Sequence, residues 1–175
     1  MLKITIPSIE MYDEANEQFI TLEKQTLMLE HSLVSISKWE SKWHKPFLSK
    51  NEKTVDETLD YVRCMTIAQN PDSDVYKMLT DKNISQVRDY IEEDMTATTF
   101  SNDKKPLNRE VITAEIIYYW MIALNIPFEC QKWHLNKLLT LINVCNIKNS
   151  PPKKMSKKEL AHRNTSLNEA RKQGK

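Results

Sequence analysis

Glycine is almost absent from this chain of 175 residues: the only one is Gly174. Average usage is about 7%, so roughly a dozen would be expected. P-loops, dinucleotide-binding fingerprints and nucleophile elbows all need glycine where the backbone approaches a ligand or turns sharply. The sequence therefore excludes these three kinds of site. Turns with a positive φ must use asparagine or aspartate instead.

Cysteine is also scarce, with Cys64, Cys130 and Cys145 as the only examples. Their number is odd and their spacing matches no disulfide framework, which predicts reduced thiols in a cytosol. The first residues, MLKITIPSIEMYDE, lack the apolar core of a signal peptide, so nothing marks the chain for export.

No apolar run reaches the roughly 20 residues that a helix needs to cross a bilayer. The most apolar stretch, residues 109–125, contains Glu115 and is apolar on almost every side of a helix, which predicts a core helix buried all round. Pro127 ends it, and a second apolar helix is predicted over about 128–146. Together they form a predicted central buried helical hairpin, about 109–146.

Shorter elements complete a predicted fold that is mainly α with a minor α+β character, including a small N-terminal β element. Thr54 and Glu57 form a Thr-x-x-Glu capping box, which predicts the start of a helix. Asn108 is predicted to cap the first helix of the hairpin. The further predictions are a strand over 2–6, a β-hairpin over 18–30, helices over 30–45, 54–66, 73–79 and from Asp81 onward, and a β-prone segment over 95–100.

Charge is unevenly distributed although the formal net charge is only +1. Residues 148–175 contain nine Lys/Arg and two Glu, whereas the rest of the chain contains 16 Lys/Arg and 22 Asp/Glu. Pro151 and Pro152 stand near the start of the basic part. We therefore predict a globular helical domain over 1–149 and a basic tail over 150–175 that is helical or disordered until a partner orders it.

The spacing of cysteine and histidine residues in the sequence gives little support for a metal site or a catalytic site. Cys130 and His134 are four residues apart and would share one side of a helix, but a structural zinc site needs four ligands. A catalytic pair of the same residues would need a lowered thiol pKa and an oxyanion hole, which is harder to build without glycine. We expect no metal, no cofactor and no enzymatic activity.

Two tryptophans are the most prominent aromatic pair of the N-terminal half. Trp39 and Trp43 lie one helical turn apart with Lys42 between them. Their apolar surroundings favour burial, whereas an exposed Trp/Lys face would bind a partner protein well. The basic tail is a second candidate, which could contact an acidic protein. The hypothetical partner-binding residues are Trp39, Trp43, Lys42, Lys153, Lys154, Lys157, Lys158, Arg163 and Arg171.

Five stretches together resemble small proteins from the tail modules of long-tailed, siphovirus-like bacteriophages, a group associated with tail assembly chaperones. The likeness covers nearly the whole chain. The stretches are LEHSLVSISKWESKWHKPFLS (29–49), ETLDYVRCMT (57–66), MTATTF (95–100), ITAEIIYYWMIALNIPFECQKWHLNKLLTLINVC (112–145) and NSPPKKMSKKELAHRNTSLNEARK (149–172).

The resemblance implies a non-enzymatic protein that binds the phage tape measure protein. A tail assembly chaperone coats the long helical tape measure and keeps its apolar faces from aggregating while tail-tube protein polymerises around it. The expected partners are therefore the tape measure protein and the tail-tube protein. A homo-oligomer in the host cell cytoplasm and no membrane contact are expected.

Two alternatives stay open. Many tail assembly chaperones gain a C-terminal extension through a programmed frameshift, whereas the basic tail of this chain is present without one. This departure keeps open a second role, as a structural virion protein of the tail or head–tail connector. The second alternative is a nucleic-acid-binding protein that holds phosphates through residues 148–175, with binding that weakens steeply with salt. It is the less favoured of the two, since no aromatic residues are interleaved with the basic ones.

Overall fold

The computed structural model describes residues 1–13, 17–67, 71, 73–100, 111–150 and 157–173. Helices predominate and the strands are confined to the N-terminus, which confirms the predicted mainly α fold with a minor β element. The elements are β1 (Leu2–Ile6), β2 (Ile9–Asp13), β3 (Gln18–Leu22), β4 (Gln25–Leu29), α1 (Leu33–Trp43), α2 (Val55–Met65), α3 (Ser73–Lys77), α4 (Asp81–Glu92), α5 (Ala114–Ala123), a 3₁₀ helix (Phe128–Lys132), α6 (Leu135–Asn149) and α7 (Lys157–Gln173).

The β element consists of two antiparallel ladders, in which β1 pairs with β4 and β2 pairs with β3. The ladders share one register, because Ile6 lies opposite Gln25 and Ile9 lies opposite Leu22. The predicted hairpin over 18–30 is therefore wrong in its pairing, although both of its strands form. Its two-residue connection, Glu23 and Lys24, lacks the Gly or Asn that tight hairpin turns prefer, and each strand pairs with an earlier one instead.

The capping box predicted at Thr54 and Glu57 forms in the structure. Thr54 and Glu57 make both hydrogen bonds of a capping box at the start of α2, at 2.8 and 3.2 Å. Thr80 caps α4 in the same way. The helices predicted over 30–45, 54–66 and 73–79 are confirmed as α1, α2 and α3, and the helix predicted from Asp81 is confirmed as α4.

Helix α1 lies at the centre of the described packing, since it packs against α2, α5 and the 3₁₀ helix. Its buried residues include Leu33, Ile36 and Trp39, which recur at helical spacing. The helix ends at Trp43, and His44 follows in the left-handed conformation with φ of 52°. The expectation that positive-φ positions use asparagine or aspartate is therefore wrong here, although Asn125 does fit it with φ of 54°. The buried face of α1 therefore meets neighbours from both halves of the domain.

Helix α5 is not buried all round, which corrects the prediction for residues 109–125. Ala114, Ile117 and Met121 lie in the core, but Tyr119 is 66% exposed and Ile122 is 61% exposed. The helix begins only at Ala114, and the predicted cap Asn108 lies outside the described residues.

Among the described residues, no helix combines the length and the apolar character needed to cross a bilayer.

The second half of the predicted hairpin is divided in two. A 3₁₀ helix covers Phe128–Lys132, Trp133 is extended with φ of −72° and ψ of 162°, and α6 starts at Leu135. Because of this break, Cys130 and His134 do not share one side of a continuous helix. The β-prone segment 95–100 is also not a strand, since it follows α4 without pairing to any described strand.

The chain divides into two compact units, Met1–Cys145 and Asn146–Lys175. The first contains the β element and the hydrophobic core, and the second contains the end of α6 together with α7. The described side chains of α7 are exposed, among them Arg163 and Arg171.

Candidate protein-binding surface

Trp39 belongs to the core and not to an exposed Trp/Lys face. Its side chain is only 1% exposed, and its indole Nε1 donates a 2.9 Å hydrogen bond to the Glu57 carbonyl oxygen of α2. The ring also packs edge-on against Phe47 at a centroid distance of 5.2 Å. The prediction that Trp39 is a partner-binding residue is therefore corrected, because burial against α2 leaves its side chain no area to contact a partner.

Trp43 and Lys42 are held by α2 as well. The Trp43 indole donates a 2.9 Å hydrogen bond to one carboxylate oxygen of Asp60, and Lys42 forms an ion pair with the other. Trp43 is half-buried and stacks on Trp39 at 6.2 Å. These contacts stabilise the seam between α1 and α2, so only the remaining exposed edge of this pair is open to a partner.

Lys45 and Glu57 form a second polar link in the same seam. The Lys45 ammonium lies 2.5 Å from a Glu57 carboxylate oxygen, and Glu57 also accepts the backbone N–H of Thr54. The hydrogen bond from Lys45, followed by the one from Thr54, lowers the pKa of the Glu57 carboxyl below its usual value. This carboxylate is therefore fully committed to contacts within the chain.

A cluster of histidine and tyrosine side chains is buried between the N-terminal half and α6. The Nδ1 atom of His31 lies 2.5 Å from the Tyr61 hydroxyl, and the His31 ring meets the His134 ring at 5.1 Å. Burial, and secondly the neighbouring His134, lower the pKa of His31 from 6.5 to about 3. Both rings join distant segments of the core, and His31 stays uncharged at neutral pH.

His134 is held in this cluster by a backbone contact to α4. Its Nε2 lies 2.9 Å from the Tyr90 carbonyl oxygen, so this nitrogen donates, and its Nδ1 atom has no hydrogen-bond partner among the described residues. Cys130 is buried in the preceding 3₁₀ helix, and the described residues contain no group of three His, Cys, Asp or Glu side chains able to hold a metal ion. Cys130 acts here as a small buried apolar group.

The exposed side of α5 forms an apolar patch, made of Tyr118, Tyr119, Ile122 and Phe128 and called the α5 patch below. Tyr119 and Ile122 are three residues apart on the helix and are mostly exposed. Phe128 is 52% exposed and its ring lies 6.4 Å from that of Tyr118. Contiguous exposed aromatic and aliphatic side chains of this kind mark interaction sites on soluble proteins.

Tyr118 fixes the geometry of the α5 patch. Its hydroxyl donates a 2.9 Å hydrogen bond to the Gln131 side-chain oxygen, which ties α5 to the 3₁₀ helix. Burial and the nearby Glu115 carboxylate raise the pKa of Tyr118, so the phenol remains neutral. The patch therefore rests on two short helices that are linked to each other, and the exposed Glu115 carboxylate lies on the same side of α5.

No protein-family model, curated protein or solved structure matches this chain.

The hypothetical contacts in the basic tail are only partly described. Lys153 and Lys154 lie outside the described residues, whereas Lys157 and Lys158 belong to the first turn of α7. The exposed Arg163 and Arg171 lie further along the same helix.

Sequence reasoning missed Tyr119, Ile122 and Phe128 as surface residues, although one signal was available. Glu115 is exposed, and Tyr119 and Ile122 follow it by four and seven residues, so the three share one side of α5. A carboxylate inside an apolar run indicates the side that faces water.

Proposed function

We propose that this chain is a non-enzymatic bacteriophage tail assembly chaperone that binds the tape measure protein during tail morphogenesis. The observation that supports this best is the α5 patch, because it exposes large apolar side chains on a helix that would otherwise be core. The likeness of five sequence stretches to phage tail-module proteins supplies the identity of the partner.

The chemistry of the α5 patch suits a long helical partner. Tyr119 and Ile122 present an apolar stripe along a helix axis, and an amphipathic helix packs its own apolar face against such a stripe. Aromatic side chains that lose their remaining exposure on binding contribute most to the affinity of an interface. A tape measure protein would offer this kind of apolar face repeatedly along its length.

The proposed role also implies a cellular location, an oligomeric state and further partners. The protein acts in the host cell cytoplasm as a homo-oligomer, since many copies are needed to cover a long partner, and the tail-tube protein is its second partner. The basic helix α7 provides an additional contact for acidic segments of the partner through Arg163 and Arg171. No membrane or nucleic-acid contact is part of the proposal.

Co-expression with the long coiled-coil protein of the same tail module tests the proposal. Affinity purification followed by light scattering should give a soluble complex with several copies of this chain per partner. The double variant Tyr119→Ser/Ile122→Ser should lose at least about tenfold in affinity, equivalent to about 1.4 kcal/mol. Val55→Ser is the matched control, since Val55 is 75% exposed on α2 and lies outside the α5 patch.

Three results would contradict the proposal. If the co-expressed partner stays insoluble and unbound, the chaperone role is contradicted. Stoichiometric recovery of this chain from purified virions would favour the structural alternative. If the double variant binds the partner as tightly as the unaltered chain does, the α5 patch is not the contact surface.

A further inference from the structure

A groove of about 480 Å³ lies between α2, α4 and the segment that follows α1. Its volume is within the range of established binding sites, about 300–1,000 Å³. Its floor is made of six apolar or aromatic side chains from three parts of the chain. They are Phe47, Tyr61, Val62, Ile84, Val87 and Ile91.

Two cationic side chains line this floor. Lys53 comes from the segment before α2, and its ammonium lies 4.4 Å from the centre of the Phe47 ring. Arg88 comes from α4 and is exposed. Among the described residues, neither of them forms an ion pair within 4 Å.

Lys53 is partly removed from water, and no carboxylate in the described part of the chain lies within 4 Å of its ammonium. Burial lowers the pKa of Lys53, and the charge of Glu57, a carboxylate that is itself paired with Lys45, opposes this shift. Glu52 is the single acidic residue of the lining. The groove therefore has an excess of positive charge beside an apolar floor.

We propose that this groove binds a helical segment of a partner protein whose apolar face is flanked by carboxylates. The half-buried Ile84 and Ile91, seven residues apart on α4, would pack against apolar side chains of the partner, over a floor that includes the buried Val87. Partner carboxylates would pair with Lys53 and Arg88, and a charge-assisted hydrogen bond at a partly dry site is stronger than one in open solvent. This site is separate from the α5 patch and does not depend on the proposed function.

Two labelled synthetic peptides of about five helical turns test the proposal with the full chain. Both have leucine on one face, with glutamate on the flanks of the first and lysine on the flanks of the second. Fluorescence anisotropy should show the glutamate peptide binding at least about tenfold more tightly. The double variant Lys53→Glu/Arg88→Glu should reverse this preference, whereas Lys82→Glu, an exposed cation of α4 outside the groove, should leave it unchanged.

Methyl NMR of the unaltered chain locates the bound peptide independently of any variant. The glutamate peptide should shift the methyl signals of Ile84, Val87 and Ile91. Equal affinity for the two peptides, no binding of either, or unmoved methyl signals in these three residues would overturn the proposal. Binding abolished by Tyr119→Ser/Ile122→Ser and retained by the groove variant would also overturn it, because the peptide would then occupy the α5 patch.

Discussion

The Glu40 carboxylate accepts a 2.7 Å hydrogen bond from the backbone N–H of Ala114, 74 residues further along the chain. Its other oxygen accepts the backbone N–H of Phe47, also at 2.7 Å. Thr113 stands at the N-cap of α5 but makes no side-chain capping bond. Glu40 therefore supplies from α1 the negative group that stabilises the positive end of the α5 dipole.

Replacing Glu40 by alanine should lower the free energy of unfolding by about 3 kcal/mol. The substitution leaves two backbone N–H groups without an acceptor at a buried position, and each such group costs about 1–3 kcal/mol. Urea unfolding followed by circular dichroism measures the change. Glu115→Gln, an exposed substitution in the first turn of α5, should change stability by no more than about 0.5 kcal/mol. Equal effects of the two substitutions would contradict the role of Glu40.

Trp39 and Trp43 should differ clearly in their contribution to stability. Trp39→Ala removes a fully buried ring and leaves the Glu57 carbonyl oxygen without its donor, which should cost about 4 kcal/mol. Trp43→Ala should cost less than about half of that, because its ring is only half-buried. Thermal and urea unfolding of both variants provide the comparison. A larger loss for Trp43→Ala would contradict the assignment of Trp39 as the more deeply buried ring.

Stability should fall as the pH falls, owing to His31. Its pKa is about 3 in the folded protein and 6.5 without the fold, so between these values the unfolded chain binds more protons. The contribution of His31 is complete above about pH 6.5 and is lost as the pH falls toward 3, by up to about 1.4 kcal/mol per pH unit.

The variant His31→Gln should flatten the dependence of the unfolding midpoint on pH over the same range. His162→Gln serves as the control, since His162 is exposed on α7 and should leave the profile unchanged. Urea unfolding at intervals between about pH 4 and 7 measures both profiles. Parallel curves for the unaltered chain and His31→Gln would show that His31 is not the titrating group.

The two sides of α5 should respond differently to polar substitution. Ile122→Ser should change the free energy of unfolding by no more than about 0.5 kcal/mol, because the side chain is mostly exposed. Ile117→Ala, on the buried side, should cost about 3 kcal/mol. A large loss for Ile122→Ser would mean that the α5 patch is covered within the chain.

The local elements of this fold could be predicted because their signals lie within a few residues. Thr54 and Glu57 are three residues apart, so the start of α2 follows from the sequence alone. The apolar spacing of Leu33, Ile36 and Trp39 likewise predicts the buried face of α1. These are interactions within one or two helical turns.

Features that depend on distant partners could not be predicted in the same way. Strand β2 forms because Ile9 lies opposite Leu22, and β-propensity alone does not specify that pairing. Residues 95–100 have the composition of a strand but no described strand beside them. In α5, apolar residues occur on nearly every side, so the pattern does not say which side faces the core. The link between Glu40 and Ala114 has no local signal at all.

The position of α1 also has a consequence for synthesis of the chain. β1 to β4, α1 and α2 are complete once residue 65 has been made, but the face of α1 that packs against α5 has no partner until residues 114–123 are added. At ribosomal rates of about 5–20 residues per second, some 50 residues correspond to roughly 2–10 s. During that interval the side of α1 that later packs against α5 is uncovered, so slower translation between α2 and α5 would prolong the period in which the nascent protein can aggregate.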